Sequence, residues 1–487
     1  MDFNTIIYIG EIIYFILVVL TIIKIIYDTR NSVKSLAYIL VVVFIPVVGM
    51  FIYFSFGENY RKRKFYQRKN ENNSQLYSEL SQLIAESANE AIEKYPKLYD
   101  GNGQLIRMLV TESLSPLSGV GEMKLLLNGE KKFPALLKAM ENAKDHIHIE
   151  YFVYNDDDIG NTIKDMMIRK AKEGVKVRFI FDDYGSHAVR KKMLGELREA
   201  GVEAYPFYEI KVYALASRMN YRNHRKIVVI DGRIGFIGGI NVADRYVNNG
   251  RNQLFWRDTH LMLEGNAVAT LQYIFFSDWN FCKKQQNLLS IEPNYFPIDP
   301  LQGIDDDGVQ IAASGPDSKN SDIMLSFLGI ISGSKKRLYI TTPYFIPNET
   351  IVDAIKFSAL SGVDVRLLVP GISDSRFVNA ASCSYYEELL DAGVRIFRYQ
   401  KGFIHAKTIV SDDLLAVIGT ANMDIRSFDL MFEVNANVFS REMNEQLHQT
   451  FLDDLKESEE VIPEKWNQRS KIIKFGEYCA RLISPLL

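Results

Sequence analysis

The sequence predicts an α/β fold built from two copies of one unit, preceded by an N-terminal transmembrane helical hairpin. Three observations predict it. A His-x-Lys-x4-Asp motif occurs twice in matching surroundings, strands and helices alternate in the same order in both halves, and two long apolar runs lie within the first 56 residues. One motif match would be weak; two with equal internal spacing, one in each half, point to a duplication.

Composition bounds the reading. The chain has 487 residues, 47% hydrophobic, which implies more than one domain with ample core. Its net charge of −3 argues against a general nucleic-acid binder and leaves room for a local basic site. Cys282, Cys383 and Cys479 are scattered without a pairing pattern, as in a chain whose soluble part lies in a reducing compartment.

Ile6 to Tyr27 is almost continuously apolar and long enough to span a bilayer; Glu11, near one end, is placed to snorkel or pair. No small-residue cleavage site follows, which separates this run from a signal peptide. A second run, Leu36 to Phe56, is interrupted at Pro46-Val47-Val48-Gly49. With the polar turn Asp28 to Ser35 the two read as a helical hairpin, the competing reading of the second run being a re-entrant or interfacial segment. Arg61-Lys62-Arg63-Lys64 and Arg68-Lys69 then place the following chain, and both termini, on the cytoplasmic side, and suit an anionic membrane surface. Asn70 to Glu93 patterns as an amphipathic connecting helix.

The first half alternates. Phe133 to Ala143 reads as a helix, His146 to Val153 as a strand, Ile163 to Lys172 as a helix, Val175 to Phe181 as a strand and Lys191 to Ala200 as a helix. The second half repeats the order: helix Met324 to Ile331, strand Arg337 to Thr342, helix Ile351 to Leu360, then Gly362 to Val369 paralleling Gly174 to Phe181 and Tyr385 to Val394 paralleling Met193 to Val202. Such alternation implies a parallel or mixed sheet covered on both faces. His146 and His148 share a strand face but have no third partner at metal-ligand spacing, so they read as structural. Val212 to Arg222, apolar and cationic, reads either as a headgroup-holding loop or as an ordinary packed one. Ser470 to Leu487 patterns as an amphipathic helix, interfacial or docked on the core.

Each half then reaches its motif: Asn223-His224-Arg225-Lys226 running to Asp231, and His405-Ala406-Lys407 running to Asp412. Gly238-Gly239-Ile240-Asn241 and Gly419-Thr420-Ala421-Asn422 follow, and the step from His to Asn is 17 residues in both. Both motifs read as strands, rich in β-branched residues. Residues i and i+2 share a face, so each His projects with its Lys, and Asp231 and Asp412 fall on the opposite face as structural residues. The glycine turns would return Asn241 and Asn422 beside His and Lys. Folding the copies together gives one site with two imidazoles, two ammonium groups and two amides, suited to a phosphodiester attacked at phosphorus. One His attacks; the other protonates the leaving alkoxide and then serves as base. Lysines and asparagines stabilise the developing charge.

The paired motifs resemble those of the phospholipase D superfamily. With the N-terminal segment Leu36-Ala37-Tyr38 … Pro46-Val47-Val48-Gly49 … Gly57, the whole chain resembles bacterial cardiolipin synthases. The resemblance implies a pseudo-twofold, bilobed α/β/α catalytic unit, no required metal and no cofactor. It also implies that His224, Lys226, Asp231, His405, Lys407 and Asp412 form the catalytic motifs, and that a carboxylate orients each His. Glu433, in Phe432-Glu433-Val434-Asn435, stands at the second-half position; Asp258, in Trp256-Arg257-Asp258, is the best first-half match, at a longer spacing and with Asp where Glu is usual. The implied reaction transfers a phosphatidyl group between two phosphatidylglycerol molecules, giving cardiolipin and glycerol through a phospho-histidine, with His224 as nucleophile and His405 as acid and base. Residue types alone do not separate water from an alcohol as acceptor, so a hydrolase releasing phosphatidic acid is the alternative. A non-catalytic membrane scaffold is disfavoured because every motif position is intact. These readings divide the chain into a membrane anchor (1–60), a basic and amphipathic linker (61–110), and two catalytic domains (111–300 and 301–487).

Overall fold

A computed structural model describes residues 3–29, 32–56, 93, 101–113, 115–209, 221–250, 254–282, 288–290, 292–297 and 307–483. The basic cluster after Gly57, nearly all of the expected connecting helix at Asn70 to Glu93, residues 212–220 of the cationic loop and the last four residues lie outside it. Residues 1–72 group as one compact unit with residues 210–221; nearly all the rest forms a second.

Among the described residues the N-terminal unit has three helices, Phe3–Asp28, Ser32–Phe44 and Pro46–Phe56. Of these, Thr5–Asp28 alone is long and apolar enough to cross a membrane. The second apolar run does not form the single spanning helix of the expected hairpin. At 13 and 11 residues, its two helices each fall short of the ~20 needed to span. They double back at Pro46, whose ring and missing N–H break the helix. The Tyr38 and Tyr53 rings meet at 5.5 Å, whereas 15 residues of unbroken helix would separate them by ~22 Å. Gly49 permits the return: a Cβ there would lie 2.6 Å from the backbone of Val41 and Val42. Ile25, Val42 and Tyr53 form the small core, and the Tyr53 hydroxyl donates to Asp28 at 3.1 Å.

The catalytic unit contains the duplication strand for strand. The first sheet runs, edge to edge, Met123–Leu127, Thr259–Glu264, Ile234–Gly238, Ile227–Ile230, His146–Tyr151, Lys176–Asp182 and Glu203–Phe207. The second contains the same series: Gly308–Ser314, Met431–Phe439, Leu415–Gly419, Thr408–Ser411, Arg337–Thr341, Asp364–Pro370 and Arg395–Tyr399. It adds Leu117–Gly119 at one edge and Ser458–Glu460 at the other, so the second sheet borrows a strand from before the first begins. Leu117–Gly119, which falls within the expected first domain at 111–300, thus pairs into the second sheet.

Both sheets are mixed: the helix-connected strands pair in parallel, the motif hairpins antiparallel. Helices Asp158–Lys172 and Glu349–Leu360 begin at capping side chains, Asp157 accepting from Gly160 N and Asn348 from Ile351 N. Each stops before a left-handed glycine, Gly174 at φ +93° and Gly362 at φ +92°, a conformation without penalty only where Cβ is absent. Strand alternation splits the core. Val228 and Ile230 pack into the first lobe's own core, while Ile227 and Val229 face a shared one with Val410, Ile418, Val434 and Ala436 of the second lobe. This shared apolar layer fixes the lobes against each other.

Candidate active site

The lobes exchange short strands beside the motifs. Arg222–Asn223 pairs in parallel with Met431 and Phe432, and Gly402–Ile404 with Phe255–Arg257. The exchange continues into each histidine: His224 N donates to Phe432 O at 2.9 Å, and His405 N to Arg257 O at 2.7 Å. Each His is thereby delivered to the strand carrying the other lobe's carboxylate. His224 Nδ1 meets both Glu433 oxygens at 2.9 and 3.0 Å, and His405 Nδ1 meets Asp258 Oδ2 at 2.7 Å. Sequence reasoning singled out both carboxylates but measured their spacing within one half; the pairing crosses between halves.

The carboxylates are held differently. In the second lobe the Thr420 hydroxyl donates to Glu433 Oε2 at 2.5 Å and accepts from Val434 N at 2.9 Å. In the first lobe the equivalent position is Gly239, where a Cβ would sit 2.2 Å from Asp258 Oδ1. Glycine and threonine at this turn thus match the two carboxylates: the bare one gives Asp258 room, the hydroxyl completes the shell of Glu433.

The strand begins at Ile227, after Lys226, so the alternation expected from His224 to Asp231 does not extend over the motif. Instead Lys226 Nζ folds back on His224 O at 2.6 Å, and Lys407 Nζ makes the same bond to His405 O. Both lysines are buried. Asp231 and Asp412, included among the catalytic motif residues, point to the far end of the strand and take no place in the cleft. Both are left-handed, at φ 51° and 49°. Asp231 accepts the amides of Lys144, Asp145 and His146, and Asp412 those of Lys335, Lys336 and Arg337. They fasten the strand entering each sheet.

Both histidines line one cleft of about 450 Å³, together with Asn241 and Asn422. Asn241 is occupied, accepting from Val153 N at 3.1 Å and donating to the Tyr246 hydroxyl at 3.0 Å. Asn422 Oδ1 is buried with no hydrogen-bond partner among the described residues. Two further residues were missed: Arg245 and Arg426 also line the cleft, and each Nε is buried without a partner among the described residues. The signal was present, since both stand 21 residues after their histidine. One wall is aromatic, with Phe152, Tyr246, Trp256, Tyr344 and Phe377; Asp374 and Asp424 supply carboxylates. His146 and His148 lie elsewhere, bonded to Asp145, Gln272 and Arg178. Among the described residues no three His, Cys, Asp or Glu side chains stand together as a metal would require.

Burial sets the charges. It lowers His224 to about 4, against Glu433, and drives His405 well below the ordinary imidazole range with help from Lys407 and Lys226. Both imidazoles are therefore neutral near pH 7. With each Nδ1 engaged by a carboxylate, Nε2 is the nitrogen left to the cleft. Burial also lowers Lys226 to about 7 and Lys407 to about 8, and raises Asp258 to about 6. Burial alone would push Glu433 up; His224, Lys226 and Thr420 outweigh it and hold the carboxyl below its usual range.

The arrangement offers a neutral nucleophilic nitrogen, a second imidazole and two arginines around one cavity, with a buried lysine folded behind each histidine. The comparisons fit it. A family model described as "Cardiolipin synthase, PLD-like domain" matches residues 136–279 and 327–455, and one described as "Phospholipase_D-nuclease N-terminal" matches 13–58. The chain is 42% identical over 460 residues to Cardiolipin synthase 2 of Bacillus anthracis, covering 94% of this chain and 88% of the relative. It is 40% identical to the major cardiolipin synthase ClsA of Bacillus subtilis, covering 97% and 98%. Among solved structures, the phosphatidylserine synthase of Haemophilus influenzae shares the fold, at TM-score 0.58 and 14% identity over 79% of this chain and all of that one. Near-full-length identity to those relatives, together with the repeated domain match, places the chain in the cardiolipin synthase family of the phospholipase D superfamily, a family of phosphatidyltransferases.

Proposed function

We propose that this protein is a membrane-anchored cardiolipin synthase that transfers a phosphatidyl group from one phosphatidylglycerol to the hydroxyl of another. The observation that carries the reading is the crossed pair of His–carboxylate contacts in one cleft. His224 Nε2 attacks phosphorus and the phosphorus–oxygen bond to glycerol breaks. His405 Nε2–H gives its proton to the departing oxygen. The second phosphatidylglycerol then gives its hydroxyl proton to His405, its oxygen attacks phosphorus, and the phosphorus–nitrogen bond to His224 breaks. Lys226, Lys407 and the two arginines bring positive charge and donors to the phosphoryl oxygens.

His224 is assigned as nucleophile because its carboxylate, Glu433, is held ionised and accepts from His224 Nδ1–H on both oxygens. His405 needs a proton that burial and the surrounding cations remove from the empty cleft. An entering phosphodiester anion offsets those cations, so binding takes up a proton. Asp231 and Asp412 serve the sheets rather than the reaction. The chain is membrane-associated. Thr5–Asp28 crosses the bilayer once, residues 32–56 dip in and return, and the basic cluster after Gly57 keeps the catalytic unit cytoplasmic.

Replacing either histidine tests the reading. His224→Ala and His405→Ala each abolish turnover, because the two act in different roles. Full activity in either variant sinks the two-histidine mechanism.

A further inference from the structure

The C-terminal helix Lys471–Ile483 is docked the wrong way round for a soluble protein. Three of its charged residues, Lys474, Glu477 and Arg481, face inward. Lys474 pairs with Glu387 at 3.1 Å and Arg481 with Glu388 at 2.9 Å, while Glu477 is buried against Arg469. These positions, 474, 477 and 481, follow the i, i+3, i+7 spacing of one helix face. The opposite face is apolar and open: Ile472 is 84% exposed, Phe475 70% and Leu482 80%, with Ile473 beside them. Exposed side chains of this size in a continuous stripe mark a contact surface. Phe357 and Leu360, on the neighbouring helix Glu349–Leu360, are also exposed. That helix is tied to the same anchor, since its Lys356 reaches Glu388 at 3.8 Å.

The helix packs along Arg376–Cys383, which contributes Phe377 and Val378 to the wall of the catalytic cleft. We propose that the apolar face of Lys471–Ile483 inserts into the lipid interface and holds the cleft beside the bilayer that supplies its substrate. The proposal rests on the phosphatidyl-transfer reading. Three features select a lipid surface over a second copy of the chain. The helix packs on Arg376–Cys383, which lines the cleft, and the chain also carries an N-terminal helix long and apolar enough to cross a membrane. The strip is also too small for a dimer: 13 residues make a helix ~20 Å long, offering on the order of 200–300 Å² against the roughly 800 Å² per partner of a stable interface. Lys471 at the start of the helix suits anionic headgroups.

The test uses the full chain with Ile472→Gln, Phe475→Gln and Leu482→Gln combined, reconstituted in vesicles of phosphatidylglycerol and phosphatidylcholine. Turnover of vesicle lipid falls roughly tenfold or more, the scale expected when three side chains lose interfacial burial. Turnover of short-chain phosphatidylglycerol, dissolved as monomers, stays within about twofold, which also shows that the variant is folded. In the wild type, a photoreactive acyl chain in the vesicle labels residues 471–483. Equal loss on both substrates, no loss on either, or absence of label overturns the proposal. So does a wild-type dimer that the variant splits, which would give the patch to a second copy. Failure of the wild type on both lipids, with label intact, would count against phosphatidyl transfer and leave the docking surface standing.

Discussion

Glu433→Gln is the sharpest perturbation of the crossed arrangement, because it acts on a histidine in the other lobe. As His224 Nε2 attacks phosphorus, its ring acquires positive charge, and Glu433 lies 2.9 Å from Nδ1. At an effective dielectric near 20, one carboxylate charge at that distance stabilises the ring by roughly 6 kcal/mol. Glutamine keeps an acceptor and loses the charge. A charge-assisted hydrogen bond is about twice as strong as a neutral one, so roughly half, ~3 kcal/mol, is lost from the transition state. That is about a hundredfold in rate. The assay is rapid quenching with lipid labelled at phosphorus, following the protein-bound phosphoryl group. Glu433→Gln slows its formation about a hundredfold, whereas Asp258→Asn, acting through His405, also impairs the second transfer and leaves labelled enzyme standing longer. A normal burst in Glu433→Gln would refute the reasoning, as would a slow burst confined to Asp258→Asn.

The remaining predictions concern charge and topology. On soluble phosphatidylglycerol, kcat/KM falls as pH rises through the region of Lys226 and Lys407, held at about 7 and about 8 by burial, because each loses its charge. It also falls on the acid side as His224, at about 4, takes up a proton and loses its nucleophilic pair; a profile flat from about pH 6 to about 9.5 contradicts this. Arg245→Ala and Arg426→Ala each weaken substrate handling about ten- to a hundredfold in kcat/KM, the scale of losing one charged hydrogen bond; unchanged values would remove the arginines from the site. With a single crossing, a cysteine placed at Asn4 reacts with an impermeant maleimide on intact cells. Protection there, matched by labelling only after lysis, would restore two full crossings.

Much of the catalytic fold was legible. Strand Ile227–Ile230 and strand Thr408–Ser411 announce themselves by β-branched runs, and equal spacing identifies the two copies as one unit. What the sequence does not carry is which half supplies each carboxylate. That follows from Arg222–Asn223 and Gly402–Ile404 leaving their own sheets to pair across, a choice made by tertiary packing. The parity argument placed Asp231 and Asp412 away from the site for the wrong local reason, since each lies just past its strand in a left-handed turn. Arg245 and Arg426 were readable from the repeat, each 21 residues after its histidine. The second apolar run shows a limit of hydropathy: composition alone makes Leu36 to Phe56 a span, while Pro46 and the close approach at Gly49 fold it back.

The central claim is transfer to a lipid hydroxyl rather than to water. The measurement is reconstitution of the full chain with phosphatidylglycerol labelled in the glycerol headgroup and at phosphorus, followed by resolution of all products. Cardiolipin and free glycerol formed in equal amounts are the predicted result. Phosphatidic acid in place of cardiolipin would make water the acceptor and the protein a phospholipase.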